Sequence, residues 1–274
     1  MPNVLTQNQI DFYQENGYLS PIDVMSEDEA INFRRRFEAA ERQYPEHVHA
    51  KNRNNTHLAF KCMDELAHHP CILDVVEDLI GPNISLWGTV LFIKEPSSSA
   101  FVSWHQDATY MGMNNNNVVT PWIALSPSTL ETGCMTMIPG SHRDHIVEHI
   151  DTFEENNILT RGQQVRDVDV SKGVDLILRP GQMSLHHGEI IHGSQPNRSD
   201  KRRIGLALQS YAAPEVRQIV GKDLWMDIRG DNSRDGSAQL TRPKFDLDPA
   251  ADRVGANKNL ADILYDGAKQ RRAY

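Results

Sequence analysis

Cysteine is scarce in this chain: 274 residues include three, Cys62, Cys71 and Cys134, and no two of them form a CxxC pair. That excludes a disulfide framework and a thiolate zinc site, and a reducing, cytoplasmic setting is expected. Positive charge is also short, with 28 Lys and Arg against 37 Asp and Glu and a formal charge of -9. Without a lysine- or arginine-rich run to follow phosphates, nucleic acid is not an expected partner. Long apolar runs are missing too; none approaches the roughly 20 residues of a membrane-spanning helix. The opening Met1-Pro2-Asn3-Val4-Leu5 carries no basic segment ahead of an apolar one, so neither a membrane nor an export address is expected. What remains is a chain that meets small molecules; its composition is silent on oligomeric state.

At this length one domain covering residues 1–274 is expected. Three stretches differ in texture. From about 5 to 80 the signals are helical: Thr6 followed by Gln9 reads as a capping box with Gly17 as the stop, and Ser26 followed by Glu29 opens a helix over Ala30 to Arg42. Another helix is expected from Cys71 to Leu79, ending at Gly81-Pro82. From about 84 to 212 come short β-rich runs separated by turns such as Pro139-Gly140-Ser141 and Pro180-Gly181. Helices first and many short strands afterwards predict a mainly β jelly-roll barrel with helices packed on one sheet. The acidic stretch Asp144 to Asp169 reads as an insertion between strands. Residues 213–274, rich in proline, glycine and aspartate, read as an ordered extension or a cover.

Within the β-rich part, Trp104-His105-Gln106-Asp107 offers an imidazole and a carboxylate two residues apart. In an extended strand His105 and Asp107 would project from one face and could grip a single metal ion. A second imidazole is needed downstream. His186 and His187 are rivals for that role, but His192, in Ile191-His192-Gly193-Ser194, is preferred because only it precedes the turn that delivers an arginine. Gly193 beside it would let backbone approach a ligand closely. Two histidines and one carboxylate with open positions are the ligand set of non-haem Fe(II) oxygenases.

The arginine follows from strand parity. Arg203, Gly205, Ala207 and Gln209 face one way; Arg202, Ile204, Leu206 and Leu208 face the other. The second set is what a sheet buries against helices, which leaves Arg202 at the rim. The first set joins a cation to very small residues, with room for a bound molecule. Arg203 is therefore the better clamp for a carboxylate, and Ser194, sharing the face of His192, can add a hydroxyl. Near the metal group in sequence, Trp104, Tyr110, Met111, Asn114 and Arg143 are candidate substrate contacts.

These residues resemble the phytanoyl-CoA dioxygenase family of Fe(II)/2-oxoglutarate-dependent oxygenases. The resemblance is carried by Trp104 to Asp107, Thr132 to His142, Arg179 to Gln182, Ile191 to Ser199 and Arg203, and spans about residues 5 to 212. Gln182 departs from the acidic residue often found there, at a position that is not a ligand. The resemblance implies a double-stranded β-helix of cupin-like form, iron on His105, Asp107 and His192, and the distal carboxylate of 2-oxoglutarate on Arg203 and Ser194. It also implies reaction with dioxygen, giving succinate and carbon dioxide while a C–H bond is hydroxylated. Because halogenating relatives replace this aspartate with a small residue, Asp107 argues for hydroxylation over chlorination. Desaturation, cyclisation and epoxidation are alternatives on the same scaffold, and a non-catalytic metal-binding jelly roll is the alternative of another class. Without a basic groove, a small polar or natural-product substrate is favoured over a coenzyme A ester.

Overall fold

The computed structural model of the protein describes residues 3–49, 53–232, 234 and 236–271. The first helix forms as its polar signals dictate. Thr6 accepts the Gln9 N–H, and the Gln9 side chain returns to the Thr6 backbone, closing a capping box on α1 (Gln7–Asn16). Gly17 ends the helix at φ +78°, a left-handed conformation that glycine adopts freely. The chain passes directly into β1 (Tyr18–Asp23), a strand not expected from the sequence. Ser26 then accepts the Glu29 N–H at the start of α2 (Glu27–Gln43). Two short helices follow, α3 (Lys61–Ala67), also not expected, and α4 (Pro70–Ile80), where Pro70 occupies a first-turn position that needs no N–H.

The β-rich part contains β2 (Ile84–Lys94), β3 (Val102–His105), the single-turn helix α5 (Ala108–Met111), β4 (Val118–Ala124) and β5 (Met135–Met137). It continues with β6 (His149–Asp151), β7 (Gln163–Val165), β8 (Val174–Leu176), β9 (Gln182–His186), β10 (His192–Ser194) and β11 (Arg203–Ala212). The C-terminal part adds β12 (Leu224–Arg229), β13 (Ala238–Gln239) and α6 (Arg253–Arg271). No helix among the described residues is long and apolar enough to cross a membrane.

Seven strands make the large sheet, in the order β1-β9-β4-β11-β2-β12-β13, and four make the small one, β3-β10-β5-β8. The large sheet is antiparallel except for the parallel pair β12 and β13. One of its faces carries the helices: Ile204, Leu206 and Leu208 of β11 join Phe37 of α2, Leu66 of α3 and Ile72 of α4 in one core. The other face meets the small sheet through Trp122, Ala124 and Ala207 against Met135, Met137 and Leu176. The result is an open double-stranded β-helix sandwich. The jelly-roll expected from the sequence is formed as two packed sheets that do not close into a barrel. The acidic insertion is partly a hairpin, β6 with β7.

Candidate active site

His105, Asp107 and His192 meet between the two sheets. One ligand atom from each lies within 4.8 Å of the others, and all three residues are buried. The sheet register causes this: His192 at the start of β10 sits opposite His105 at the end of β3, and the next matched pair is Ser194 with Val102. Between these pairs Gly193 alone on β10 faces Ser103 and Trp104 on β3, a bulge that turns both Val102 and His105 into the cavity. Gly193 is opposite the bulge, where a Cβ would lie 3.0 Å from the Val102 carbonyl. Its smallness serves the approach of the two strands, and it also lines the cavity.

Asp107 reaches the site by a different route from the one strand parity suggested. The strand stops at His105, and Asp107 has helical backbone at the start of α5. Gln106 makes the turn possible. Its fully buried amide donates to the carbonyls of Glu189 (2.6 Å) and His145 (2.7 Å) and accepts the Val147 N–H. The Gln106 N–H itself donates to Nε2 of His149, and Ala108 donates to the Gly188 carbonyl at 2.7 Å. Burial holds His149 neutral, with its pKa lowered to about 4, so the ring nitrogen stays free to accept that bond.

Both metal-facing imidazoles are oriented from behind. Nδ1 of His105 donates to the Ser103 carbonyl at 2.9 Å and Nδ1 of His192 to that of Ile190 at 3.0 Å. A carbonyl only accepts, so each Nδ1 carries a proton, and each Nε2 is aimed at Asp107 Oδ1, 3.3 Å and 3.8 Å away. Three potential ligand atoms converging in this way are what a metal ion would satisfy. Burial alone would raise the Asp107 carboxyl, but the His105 and His186 imidazoles outweigh it and hold it well below the usual range. His192 is kept neutral by burial and by its neighbour His105.

The rivals for the second histidine are now placed. His186, at the end of β9, sets Nε2 3.2 Å from Oδ2 of Asp107, the oxygen opposite the one that faces both other rings. Its Nδ1 has no partner, so the proton sits on Nε2 and His186 steadies the carboxylate. His187 packs beside His142, with ring centroids 5.2 Å apart.

Next to this group lies a buried cation pocket. Arg203 is 2% exposed, stacks 5.0 Å from the Trp122 ring centroid, and donates from Nη2 to the Gly133 carbonyl at 2.8 Å, while its Nε has no partner. Opposite it in register is Lys94, fully buried, with Nζ 2.7 Å from Ser194 Oγ and 3.3 Å from the Gly133 carbonyl, and also donating to Gln195. Burial and the adjacent Arg203 push Lys94 down to about 6; burial lowers Arg203 to about 10. Gly133 is required here, since at φ +74° a Cβ would fall 2.2 Å from the Gln195 carbonyl. The space above Gly205 is filled by the Trp122 indole, within 1.9 Å of where a Cβ would be. Room for a ligand therefore lies beside Ala207 and Gln209, and Gly205 serves packing. Arg202 is at the rim, bound to Glu41 at 2.6 and 2.7 Å.

Of the candidate substrate contacts, Tyr110 alone faces the metal group. Its hydroxyl is buried without a partner, and burial together with Asp107 keeps it protonated. Trp104 is half-buried outside the cavity, and Met111 is core, its sulfur accepting from Ser210. Asn114 belongs to an exposed turn tied to Glu215 and Arg217, and Arg143 is exposed. Sequence reasoning missed Lys94, although a lysine ending the otherwise buried run Ile84 to Ile93 was a usable signal. It also missed the roles of Gln106 and His149, for which no local pattern speaks; Gln209 lies on the cavity face that strand parity gave it.

An open sandwich holding two histidines, an aspartate and a buried arginine in one cavity defines the non-haem oxygenase class. The chain belongs to the phytanoyl-CoA dioxygenase family, whose sequence model matches residues 13–205. A probable alpha-ketoglutarate-dependent hypophosphite dioxygenase from Stutzerimonas stutzeri is 32% identical over 169 residues, 61% of this chain and 58% of that protein. The peroxisomal phytanoyl-CoA dioxygenase of Bos taurus is 28% identical over 221 residues, 72% of this chain and 66% of that enzyme. This chain thus spans less than two thirds of the length of either relative. Among solved structures, the apo form of the non-heme monooxygenase ThoJ is similar at a TM-score of 0.84 and 29% identity, covering 96% of this chain and 99% of that one.

Proposed function

We propose that the protein is an Fe(II)- and 2-oxoglutarate-dependent dioxygenase that hydroxylates an unactivated C–H bond of a small-molecule substrate, with succinate and carbon dioxide as coproducts. The observation that carries this reading is the pairing of two features in one cavity: three converging ligand atoms from His105, Asp107 and His192, and a buried arginine whose Nε has no partner. A divalent metal satisfies the first and a dicarboxylate the second. Iron held by His105, Asp107 and His192 would supply dioxygen activation. The ThoJ protein has been solved as a nickel complex, and the S. stutzeri relative bears an alpha-ketoglutarate-dependent name.

The chain's own groups divide the work. His186 occupies Oδ2 of Asp107 and leaves Oδ1 to the metal. Arg203 and Ser194 take the distal carboxylate of the cosubstrate, with Lys94 fixing the Ser194 hydroxyl. Phe92, Trp122, Met135 and Ala207 line the same cavity and keep water from the reacting centre. The test is anaerobic addition of Fe(II) and 2-oxoglutarate to the purified chain. A visible metal-to-ligand charge-transfer band is expected, and its loss in Asp107→Ala together with all substrate-dependent succinate formation. A wild-type chain that binds Fe(II) without developing the band, or an Asp107→Ala variant with full turnover, would overturn the reading.

A further inference from the structure

Beyond the cosubstrate pocket the sandwich opens into a second space. Its inner part, about 80 Å³, begins at Asp107 and Tyr110 and is walled by Trp87, Val90 and Phe92 of β2. It shares Asn54, Val90, Ile158, Leu159, Leu260 and Leu264 with an outer cavity of about 610 Å³. The two form one chamber from the metal group outward, within the size range of small-molecule sites.

Helix α6 is a built part of that wall. Ile263 is buried against Trp87, Met111 and Trp225, and Asn257 accepts from Asn55 at 3.0 Å. Arg161, ion-paired with Asp151 at 2.8 Å, donates to the Leu264 carbonyl and ties the 153–160 loop to the helix. The chamber's charge is equally specific. Among the described residues, its inner part holds no ionisable side chain except Asp107 and Tyr110, while Glu154 and Glu155 stand exposed at the outer cavity with Arg53, whose guanidinium donates to the Ile93 carbonyl. Two polar groups face the metal end: the buried Tyr110 hydroxyl, which has no partner, and the amide of Gln209, which borders both the chamber and the cosubstrate pocket.

We propose that this chamber is the substrate site and takes an uncharged molecule with a largely apolar body, whose hydroxyl or carbonyl oxygen meets Tyr110 or Gln209. Helix α6 supplies its specificity-determining wall. The proposal rests on the dioxygenase reading above and turns it away from the small polar substrates favoured by composition alone. A coenzyme A ester would carry several phosphate charges past Glu154 and Glu155, and hypophosphite would bring an anion to an inner chamber whose described walls hold no cationic side chain; transferring a charge into such a space unpaired is costly.

The test uses N-phenyl-1-naphthylamine, an uncharged apolar fluorophore, titrated into the full chain with Fe(II) and 2-oxoglutarate under argon. Saturable binding of one molecule per chain is expected. Leu260→Arg, which places a charge in the wall, and Leu159→Trp, which fills the chamber, should each weaken it by at least about tenfold, or 1.4 kcal/mol. Coenzyme A and sodium hypophosphite at millimolar concentration should leave the dye in place. Unchanged affinity in either folded variant, or displacement by either anion, overturns the proposal; if one variant does not fold, the other decides. The charge-transfer band recorded in the same sample separates the two readings. Dye binding without the band in wild type fails the dioxygenase reading alone, whereas the band with unaltered variants fails the chamber alone.

Discussion

The two faces of β11 carry opposite kinds of surface, one packed and apolar, the other polar and open to a cavity. On the helix side, Ile204, Leu206 and Leu208 are fully buried, and Leu206 is flanked in register by Leu91 of β2 and Ile123 of β4. Every group there is satisfied by contact alone. On the cavity side, one residue out of step, stand Arg203 with its unpartnered Nε, Gly205 under the Trp122 ring, Ala207, and Gln209 at the cavity wall. Burial of that arginine costs free energy that nothing in the protein returns in full. The difference teaches where the fold keeps its stability and where it keeps its unsatisfied chemistry, within a single strand.

The sharpest way to break this comparison is to cross it. Leu206→Ala removes three buried carbons from the packed face and should cost about 2–5 kcal/mol. That corresponds to a fall in Tm of about 2–4 °C for each kcal/mol in a chain of this size, read by thermal unfolding. The charge-transfer band should survive in the folded variant. Arg203→Lys should do the reverse. Replacing a planar fork by a point charge should raise the KM for 2-oxoglutarate about ten- to hundredfold, in line with the roughly 1.5–3 kcal/mol of a hydrogen bond to a charged group. Its Tm should stay within about 2 °C of wild type, since the lost interactions are few. If Leu206→Ala spoiled cosubstrate binding as strongly as stability, or Arg203→Lys lowered Tm while leaving the KM alone, the division between the faces would not hold.

How much of this was legible beforehand depends on how local each signal is. The alternation in β11 separated Arg203 from Arg202 correctly, because strand parity is a property of consecutive residues. The capping box at Thr6 and the stop at Gly17 were legible for the same reason. His105 and Asp107 were paired correctly for an incomplete reason: the strand ends between them, and the turn rests on Gln106 reaching the carbonyls of His145 and Glu189, far along the chain. Tertiary contacts of that kind leave no periodic trace. The strand β1 was missed because Pro21 interrupts its pattern, yet it pairs with β9 at the sheet edge, where a missing N–H is tolerated. The role of α6 was hidden for the same reason as Gln106, since Leu260 and Leu264 gain meaning only beside Val90 and Ile158.

Lys94 supplies the finest test of the comparison, because it extends the cavity face onto the neighbouring strand. In the protein without cosubstrate, burial first and Arg203 second hold its pKa at about 6, so at pH 7 to 8 most of it is neutral amine. A carboxylate arriving at Ser194 and Arg203 adds a negative charge near Nζ, which sits 2.7 Å from the Ser194 hydroxyl, and must raise that pKa. Binding of 2-oxoglutarate is then accompanied by proton uptake. The sign follows: below pH 6 the lysine is already charged and affinity is at its best, and above pH 6 each step up in pH weakens binding until the pKa of the complex is passed. The limit for one fully coupled proton is about tenfold per pH unit, and a few-fold is expected for a group one residue removed from the ligand. Isothermal titration of Fe(II)-loaded protein in buffers of different ionisation enthalpy, between pH 6.5 and 8.5, measures the uptake directly. Lys94→Met should abolish it and flatten the pH dependence, while uptake that persists unchanged in Lys94→Met would assign the proton elsewhere and confine the unsatisfied chemistry to β11 itself.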